Sequence, residues 1–515
     1  MPSPDSIKNS HWVLFQKKRQ QWIGEFAKLT TEEAKKYKPN CTVEHQNSTS
    51  LLNCFLGVNE NMSKASDYCG GDLYGGIEEH SFACKMYYNL TQNQPFEYMT
   101  SRCYPGLGEH TTTKSYDMLL QSVLMTYAHH GASLFIDAID PVGTLDERVY
   151  ESVGEVFRLA ERFEPYLEGT LVQEVGIYYN LNAKMEAEHE GIIGFSSETK
   201  ELQTHQKAVL GAAKALRENH IPFGVINNWK LNQLEKLRVL VLSDSPFMED
   251  RELHAIRDFV INGGHLYFSG RSAPILVEEI FGVKYEGLTE ETVTYMSPSA
   301  AGKDLMSQFT YNYPMTVLEK QVILSGSGNG EVLATMTLPY TVPPVSMALF
   351  AASAKNDKTS ENNMLPKFAA IHSNPPGKFT KRPSIMRTSS GMGKVIWSAA
   401  PFEAAIREQH SAIFTAIIRE LGGNFSFYSN APDAVELVMF SVPEKNRQLI
   451  SLINVQERFK VIEINNFEIF IKAEMSPMRV TTLTDGKEIP YKHTDGEVII
   501  HIDRLALFEM VAIDF

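Results

Sequence analysis

The segment GGDLYGGIEEH at residues 70–80 carries the side-chain types that perform acid–base catalysis. Four glycines accompany Asp72, Glu78, Glu79 and His80 within eleven residues. A carboxyl group can act as a general acid when its surroundings keep it protonated near neutral pH. Glycines and nearby aromatic rings can provide such surroundings by excluding water. The segment is therefore either a loop that gathers carboxylates for catalysis or a solvated turn.

Polar side chains also follow three short apolar runs of the same region, at the points where strands would end. They are Glu44, His45 and Gln46 in TVEHQ, Ser101 and Arg102 in FEYMTSR, and Asp137 and Asp140 in LFIDAIDP. In parallel βα folds the catalytic groups gather at the carboxyl ends of the strands. Asp140 precedes a proline and is more typical of a turn. Three polar strand ends and one glycine-rich loop together favour a pocket of the kind that binds sugars.

Apolar periodicity divides the chain into three regions. Residues 1–170 alternate short apolar runs with helical stretches such as 114–131 and 147–167, which predicts parallel strands joined by helices. Residues 171–428 repeat a buried strand followed by an amphipathic helix, which predicts an open, doubly wound α/β sheet. Residues 429–515 have no helical pattern and contain turn dipeptides, which predicts a small antiparallel β-sandwich.

The charge of the chain narrows its class of partners. A net charge of −14 and an isoelectric point near 5.6 argue against nucleic acid, because proteins that bind it usually present a basic face. An acidic surface fits an enzyme that acts on a neutral small molecule. The amino terminus lacks the apolar core of a signal peptide, and no apolar run reaches membrane-spanning length. We therefore expect a cytoplasmic protein without a membrane partner.

The cysteines do not indicate a metal site. All five lie between Cys41 and Cys103, and none forms a C-x-x-C pair. Structural zinc sites usually contain such closely spaced pairs, and a disulfide framework usually contains an even number of cysteines. We expect reduced thiols and no metal centre.

Several longer motifs resemble a known enzyme family. The runs TVEHQNS, DYCGGDLYGGIEEHSFACKMYYNLTQNQPFEYMTSR, EHTTTK and IDAIDPVGTLDERVYESVGEVF are similar to the second half of the catalytic barrel in bacterial α-L-fucosidases of glycoside hydrolase family 151. More distantly, the E-x-M-T strand and the strand that follows it resemble the family 29 fucosidases. The later regions are similar to the trimerisation and carboxyl-terminal domains of the family 42 β-galactosidase clan.

This resemblance implies a specific domain order. Residues 1–170 would be the carboxyl-terminal half of a (β/α)8 TIM barrel, 171–428 a flavodoxin-like or class I amidotransferase-like α/β domain, and 429–515 a β-sandwich. In related fucosidases the nucleophilic aspartate ends the fourth barrel strand. The chain begins with a helix that would follow that strand, so the resemblance implies a barrel without its nucleophile-bearing part.

The resemblance implies a retaining exo-α-L-fucosidase that needs no cofactor and removes terminal fucose from fucosylated oligosaccharides or small glycosides. The alternatives are a β-galactosidase-like hydrolase and a non-catalytic subunit for carbohydrate binding or oligomerisation. The position of the acid/base in the related fucosidases best matches Glu79, and Glu78 and Glu44 are the alternatives. The residues that would bind the substrate are His45, Asp72, His80, Arg102, His110, Lys114 and Asp137.

The second region lacks the residues of a working amidotransferase. Such an enzyme needs a cysteine nucleophile, and no cysteine follows Cys103. Its candidate strand-to-helix turn, VLSDSPF at 241–247, has no G-x-S-x-G context. We expect instead a platform for homo-oligomerisation, with the apolar run 342–352 as its surface or as a buried strand, and a flexible loop at 355–364.

Overall fold

The computed structural model describes residues 10–47, 57–138, 140–185, 204–326, 328–340, 375–457 and 460–515. The predicted apolar run 342–352 and the predicted loop 355–364 lie outside these ranges. The four described cysteines, from Cys41 to Cys103, are free thiols. Among the described residues, no helix combines the length and the apolar character that crossing a membrane requires.

The helices of the described residues are α1 (Ser10–Tyr37), α2 (Glu60–Ala65), α3 (Ile77–Leu90), α4 (Tyr116–Ala128), α5 (Glu147–Ala160), α6 (Thr204–Glu218), α7 (Asp250–Ile261), α8 (Pro274–Phe281) and α9 (Glu408–Gly422). The helices predicted within 114–131 and 147–167 are therefore confirmed as α4 and α5. Ser115 caps α4 by accepting a hydrogen bond from the backbone of Met118.

The first fifteen strands are β1 (Gly70–Asp72), β2 (Glu97–Ser101), β3 (Ala132–Ile136), β4 (Thr170–Leu171), β5 (Val175–Tyr178), β6 (Phe223–Ile226), β7 (Val239–Ser243), β8 (His265–Ser269), β9 (Lys284–Leu288), β10 (Thr294–Pro298), β11 (Met315–Val317), β12 (Val322–Ser325), β13 (Glu331–Pro339), β14 (Pro376–Ser390) and β15 (Gly393–Ser398). The carboxyl-terminal strands are β16 (Phe427–Ser429), β17 (Val435–Val442), β18 (Arg447–Asn454), β19 (Ile464–Lys472), β20 (Arg479–Thr482), β21 (Lys487–Glu488), β22 (Tyr491–Thr494), β23 (Glu497–Leu505) and β24 (Phe508–Asp514).

The chain divides into two compact units. Unit 1 contains Met1–Gln203, Leu216–Leu231 and Asn424–Phe515, and unit 2 contains Thr204–Ala215 and Asn232–Gly423. The division differs from the three consecutive regions read from the sequence, because the carboxyl-terminal strands belong to the same unit as the amino-terminal region. That three-part domain assignment stays a prediction.

Unit 1 combines a parallel sheet with two antiparallel sheets. Strands β1, β2 and β3 pair in parallel, with Gly70 opposite Glu97 and Glu97 opposite Ala132. The antiparallel sheets have the orders β16-β19-β23-β22 and β21-β20-β24-β18-β17-β4. Their apolar side chains, including Leu437 and Ile500, form one shared core. A second core joins α4 and α5 to the β17–β18 side of the longer sheet.

Unit 2 is built on a mixed sheet. Its strands follow the order β11-β10-β13-β14-β15-β8-β7, in which β15, β8 and β7 are parallel and the others antiparallel. Helix α7 ends just before the glycines at 263 and 264, and Gly263 has a φ of +106° that an L side chain rarely adopts. The fold class is therefore mixed α/β, as the sequence predicts; the finer domain types stay predictions.

A buried ionic cluster fixes helix α3 in unit 1. The Lys85 ammonium donates to Glu436 of β17 and to His129 Nε2, which lies 2.7 Å away. The Ser81 hydroxyl donates to the same Glu436 oxygen over 2.6 Å. Burial raises the pKa of the Glu436 carboxyl, but the opposing effects of Lys85, His129 and Arg217 are larger together, so this pKa lies well below its usual range.

We expect Glu436→Gln to lower the free energy of unfolding by about 3–5 kcal/mol, because it leaves the Lys85 ammonium buried without its counter-charge. Urea unfolding at pH 7 measures the effect. The control is Glu463→Gln, which breaks the solvent-exposed pair with Arg504 and should leave the unfolding midpoint unchanged. Equal small shifts in both variants would show that the cluster does not stabilise the unit.

Candidate active site

The candidate site lies at the β1 edge of the parallel sheet. The Asp67 N–H donates to the Val43 carbonyl and the Asn47 N–H to the Gly70 carbonyl, each over 2.8 Å, so residues 41–47 run beside β1. The sequence predicts a regular strand at 41–46. The segment instead has irregular backbone, because these two bonds do not extend into a continuous ladder.

Glu44 is the most perturbed carboxyl group at this edge. Its Oε1 lies 3.4 Å from the point that a Cβ on Gly70 would occupy, and the Glu97 Cβ lies 3.1 Å from the same point. Glycine at position 70 therefore gives the two side chains room above β1. Glu44 Oε1 is buried without a hydrogen-bond partner among the described residues. Burial, followed by the charges of Glu97 and Asp72, raises the Glu44 pKa to about 7.

Two tyrosines accompany the neighbouring carboxylates. The Tyr74 hydroxyl donates to Asp72, and the Asp72 N–H donates to Gln46 Oε1 over 3.0 Å. The Tyr68 hydroxyl donates to Glu97 Oε2 over 3.4 Å. Burial and these carboxylates raise the pKa of both phenols, so both tyrosines stay neutral donors at pH 7.

Arg102 and Asp137 form a second polar group at the strand ends. Arg102 Nε lies 2.5 Å from Asp137 Oδ1, and Arg102 Nη2 donates to the His110 carbonyl over 3.0 Å. The His110 residue itself is exposed. Asp137 Oδ2 is buried and has no hydrogen-bond partner among the described residues. The pair therefore joins the ends of β2 and β3 and leaves one carboxylate oxygen without a hydrogen-bond partner among the described residues.

Two of the sequence-predicted acids lie at the start of α3. Glu79 folds back and accepts from the Gly75 N–H over 3.0 Å, and Glu78 pairs with Arg217 over 2.7 Å. A Cβ on Gly75 would meet the Glu79 carboxyl carbon at 2.3 Å, so this turn needs glycine there. Both carboxylates also suit the positive end of the helix dipole. The segment 70–80 thus contains the beginning of α3 as well as Asp72.

The sequence-predicted histidines and lysine point away from Glu44. His45 Nε2 lies 2.8 Å from the Thr31 hydroxyl of α1, and His80 is stacked on Tyr98, with 3.6 Å between ring centroids. Burial lowers both histidine pKa values. Lys114 donates to Thr100, which shares the Tyr98 face of β2 because side chains alternate along a strand; burial lowers its pKa to about 8.

The structure thus brings together Glu44 and Asp72 near Glu97, and separately Arg102 with Asp137. It places Glu78, Glu79, His45, His80 and Lys114 in other contacts. Sequence reasoning missed Glu97 and Tyr68. The alternation of side chains along β2 could have identified Glu97. It lies on the opposite face from Tyr98 and on the same face as Met99, whose sulfur contacts Gln46.

The chemistry of this edge is that of carboxyl groups and phenols. In the described ranges, no three His, Cys, Asp or Glu side chains converge in a way that could hold a metal ion. Glu44 can donate a proton at neutral pH, while Asp72 and Glu97 can accept hydrogen bonds from hydroxyl groups. Such an arrangement suits proton transfer to a neutral, hydroxyl-rich substrate.

The turn at 241–247 in unit 2 offers no comparable site. Asp244 directly follows β7 in the candidate strand-to-helix turn and has a φ of +41°. Its carboxylate is held by the Arg271 side chain, and Asp244 is 2% exposed. An acid that is paired and enclosed in this way cannot attack a substrate, in agreement with the exclusion of amidotransferase chemistry from the sequence.

Comparison with known proteins gives structural matches alone. No protein-family model matches the chain. No curated protein matches it by sequence either. Among solved structures, it is similar to α-L-fucosidase isoenzyme 2 from Paenibacillus thiaminolyticus, with a TM-score of 0.70 and 18% identity over 96% of this chain and 71% of that one.

Two β-galactosidases are similar as well. The enzyme from Bacillus circulans sp. alkalophilus has a TM-score of 0.64 and 15% identity over 96% of this chain and 67% of its own. The GH42 enzyme Gan42B from G. stearothermophilus has a TM-score of 0.62 and 15% identity over 94% of this chain and 65% of its own. This chain thus shares a fold with glycoside hydrolases and spans about two thirds of the length of those two enzymes.

Proposed function

We propose that this chain is a glycosidase of the family 151 α-L-fucosidase type, with Glu44 as its general acid/base. The observation that carries the proposal is the Glu44 pKa of about 7, which results from burial and from the charges of Glu97 and Asp72. A carboxyl group with this pKa holds its proton at neutral pH and can pass it to the oxygen of a leaving group.

Glu44 fits this role better than Glu79 or Glu78. The Glu79 carboxylate accepts a backbone hydrogen bond, and the Glu78 carboxylate pairs with the Arg217 guanidinium. Both contacts favour the charged form of the acid, whereas a general acid must hold a proton before the reaction. We therefore rank Glu44 first, with Asp72, Arg102 and Asp137 as groups that bind substrate hydroxyls.

The finer fold assignment is part of the same proposal. The parallel pairing of β1, β2 and β3 and the intervening helices α3 and α4 support a TIM-barrel half. The shared core of the two antiparallel sheets supports a β-sandwich. The parallel strands β15, β8 and β7 support an amidotransferase-like α/β domain.

The choice of sugar is tested by two chromogenic substrates, assayed with a chain that also carries a nucleophile-bearing strand. Turnover of para-nitrophenyl α-L-fucoside would support the fucosidase, which the similarity to a fucosidase structure favours. Turnover of the β-D-galactoside alone would favour the β-galactosidase alternative. Binding of either sugar without turnover would favour a non-catalytic carbohydrate-binding subunit, and neither binding nor turnover would refute all three.

In a chain that also carries a nucleophile-bearing strand, we expect Glu44→Gln to reduce hydrolysis of a fucoside with a poor leaving group by about 10²–10⁴-fold, because general acid assistance is lost. An activated aryl fucoside needs little protonation and should lose far less activity. Azide should partly rescue the second step, deglycosylation, because Glu44→Gln also removes the general base of that step. The measurement is kcat/KM on both substrates.

The matched control is Glu79→Gln, which changes a carboxylate of the same region that accepts from the Gly75 N–H. It should leave the ratio of the two rates unchanged. Equal losses on both substrates for Glu44→Gln, without azide rescue, would refute the assignment. The same leaving-group pattern in Glu79→Gln would return the acid/base role to that residue.

The protonation state of Glu44 can be tested without turnover. Its pKa is raised in the folded chain, so its ionisation costs stability as the pH rises from about 4.5 through about 7. Gln resembles the protonated acid and avoids this cost. Relative to wild type, Glu44→Gln should gain about 1–2 kcal/mol between pH 5 and pH 8, allowing for solvent screening. Urea unfolding at both pH values measures the gain, and a pH-independent difference would contradict the raised pKa.

We also propose that unit 2 mediates homo-oligomerisation. Its exposed aromatic side chains include Tyr311 at 50%, Tyr313 at 80% and Phe379 at 40%. Tyr311 and Phe379 are stacked, with 4.9 Å between ring centroids. Exposed apolar groups of this kind often mark an association surface.

Light scattering should therefore find an oligomer, and the double change Tyr311→Ser, Phe379→Ser should shift it towards monomer because it removes the stacked pair. The control is Tyr428→Ser in unit 1, which removes an aromatic side chain of similar exposure. A wild-type monomer at every concentration would contradict the proposal.

A further inference from the structure

Gly70 of β1 lies between two acidic side chains on one face of the parallel sheet. On one side it stands in register with Glu97 of β2. On the other side, residues 41–47 run beside β1, and Glu44 extends over the glycine. A Cβ at position 70 would lie 3.4 Å from Glu44 Oε1 and 3.1 Å from the Glu97 Cβ. Because glycine has no side chain, the two acids face each other across the space above residue 70.

The space above Gly70 is poorly exposed to solvent. Glu44 Oε1 is buried, and so are Gly70 itself and the preceding Cys69. Charges act on one another more strongly in such a place than in water, because little solvent screens them. A negative charge on one of the two acids therefore makes ionisation of the other less favourable.

The two acids differ in their hydrogen-bond donors. The Tyr68 hydroxyl donates to Glu97 Oε2 over 3.4 Å. Burial raises the Glu97 pKa, and the Tyr68 hydroxyl opposes this rise because it stabilises the ionised carboxylate. Within the described part of the chain, Glu44 Oε1 receives no such bond. When one proton is bound, it therefore favours Glu44 and leaves the negative charge on Glu97.

Asp72 is a second negative charge that acts on Glu44. It lies two residues beyond Gly70 on β1, so its backbone is about 6–7 Å further along the strand. Its carboxylate accepts from the Tyr74 hydroxyl. We therefore expect Asp72 to affect Glu44 in the same direction as Glu97, but less strongly.

The groups next to Gly70 do not supply a counter-charge to the two acids. The Cys69 thiol is neutral at pH 7, because burial raises its pKa. The Lys230 ammonium acts on Cys69 and donates to the Thr91 carbonyl. The proton on Glu44 is thus what limits the negative charge around Gly70.

We propose that Glu97 is a positioning residue for Glu44: its negative charge, stabilised by Tyr68 and facing Glu44 across Gly70, holds the proton on Glu44. Glu97 acts through Glu44 and does not itself contact the reacting atoms. Its importance for catalysis rests on the proposed function, in which Glu44 is the acid/base. The effect on the proton is a property of the folded chain and can be measured without turnover.

The test is NMR of the full chain with isotope-labelled glutamate, in which the two carboxyl signals are assigned by their loss in Glu44→Gln and in Glu97→Gln. In the wild type, Glu44 should titrate near pH 7 and Glu97 at a lower pH. In Glu97→Gln the Glu44 midpoint should fall by about one pH unit, because a neutral amide does not repel the Glu44 charge. It should stay above 4.5, since burial remains.

Three further variants separate charge from packing. Glu97→Asp keeps the charge and should leave the Glu44 midpoint closer to wild type than Glu97→Gln does. Tyr68→Phe removes the donor, so Glu97 should titrate at a higher pH and Glu44 at a lower pH. Asp72→Asn should lower the Glu44 midpoint less than Glu97→Gln does. The control is Glu463→Gln at the exposed pair with Arg504, which should leave both midpoints unchanged.

The link to catalysis is measured in a chain that also carries a nucleophile-bearing strand. There the alkaline limb of the pH profile of kcat/KM should move to lower pH in Glu97→Gln by the same amount as the Glu44 midpoint, and Glu97→Asp should restore it in part. A loss of activity at all pH values without this movement would indicate a purely structural role and would overturn the inference.

An unchanged Glu44 midpoint in Glu97→Gln, or equal shifts in Glu97→Gln and Glu97→Asp, would also overturn the inference. If Glu97→Gln does not fold, the opposite shifts of the two acids in Tyr68→Phe decide the matter, and their absence would overturn it. A wild-type Glu44 midpoint near 4.5 would overturn both the inference and the acid/base assignment. The expected shifts without any glycoside turnover would support the inference and refute the proposed function alone.

Discussion

The contact between Lys85 and Glu436 joins residues that are 351 positions apart in the chain. Because both charges are buried, neither can leave the other without a large free-energy cost, and α3 is held against β17. At the other end of the helix, Glu78 pairs with Arg217 and Ile77 N–H donates to Glu457. These contacts fix where α3 begins, and hence the course of the glycine-rich segment that connects it to β1. The position of Asp72 follows from that course.

The local elements could be predicted from the sequence because they depend on short-range periodicity. The helices α4 and α5 and the strand β2 lie within the predicted stretches. The assignment of 424–515 to the same compact unit as the first 203 residues could not be predicted, since it rests on contacts such as Lys85 with Glu436 and Gln121 with the Asn454 carbonyl. Local sequence patterns do not predict such long-range contacts.

The candidate site was partly predictable for a related reason. The sequence indicates which polar residues end the strands, but not which face each occupies. Glu44 and His45 are neighbours in the chain, yet Glu44 lies against Gly70 and Glu97 while His45 contacts Thr31. The resemblance to the fucosidases favours Glu79 over Glu44 as the acid/base. A helix that begins at Ile77 instead gives both acids of that segment a structural partner.

The electrostatics around Glu44 also constrain its substrate. Burial, followed by the charges of Glu97 and Asp72, raises the Glu44 pKa, so the site already resists further negative charge. An anionic substrate would add to that repulsion, and the net charge of −14 would oppose its approach. A neutral glycoside meets neither penalty, and its hydroxyl groups can donate to the carboxylates. The same crowding that keeps Glu44 protonated therefore selects a neutral, hydroxyl-rich ligand.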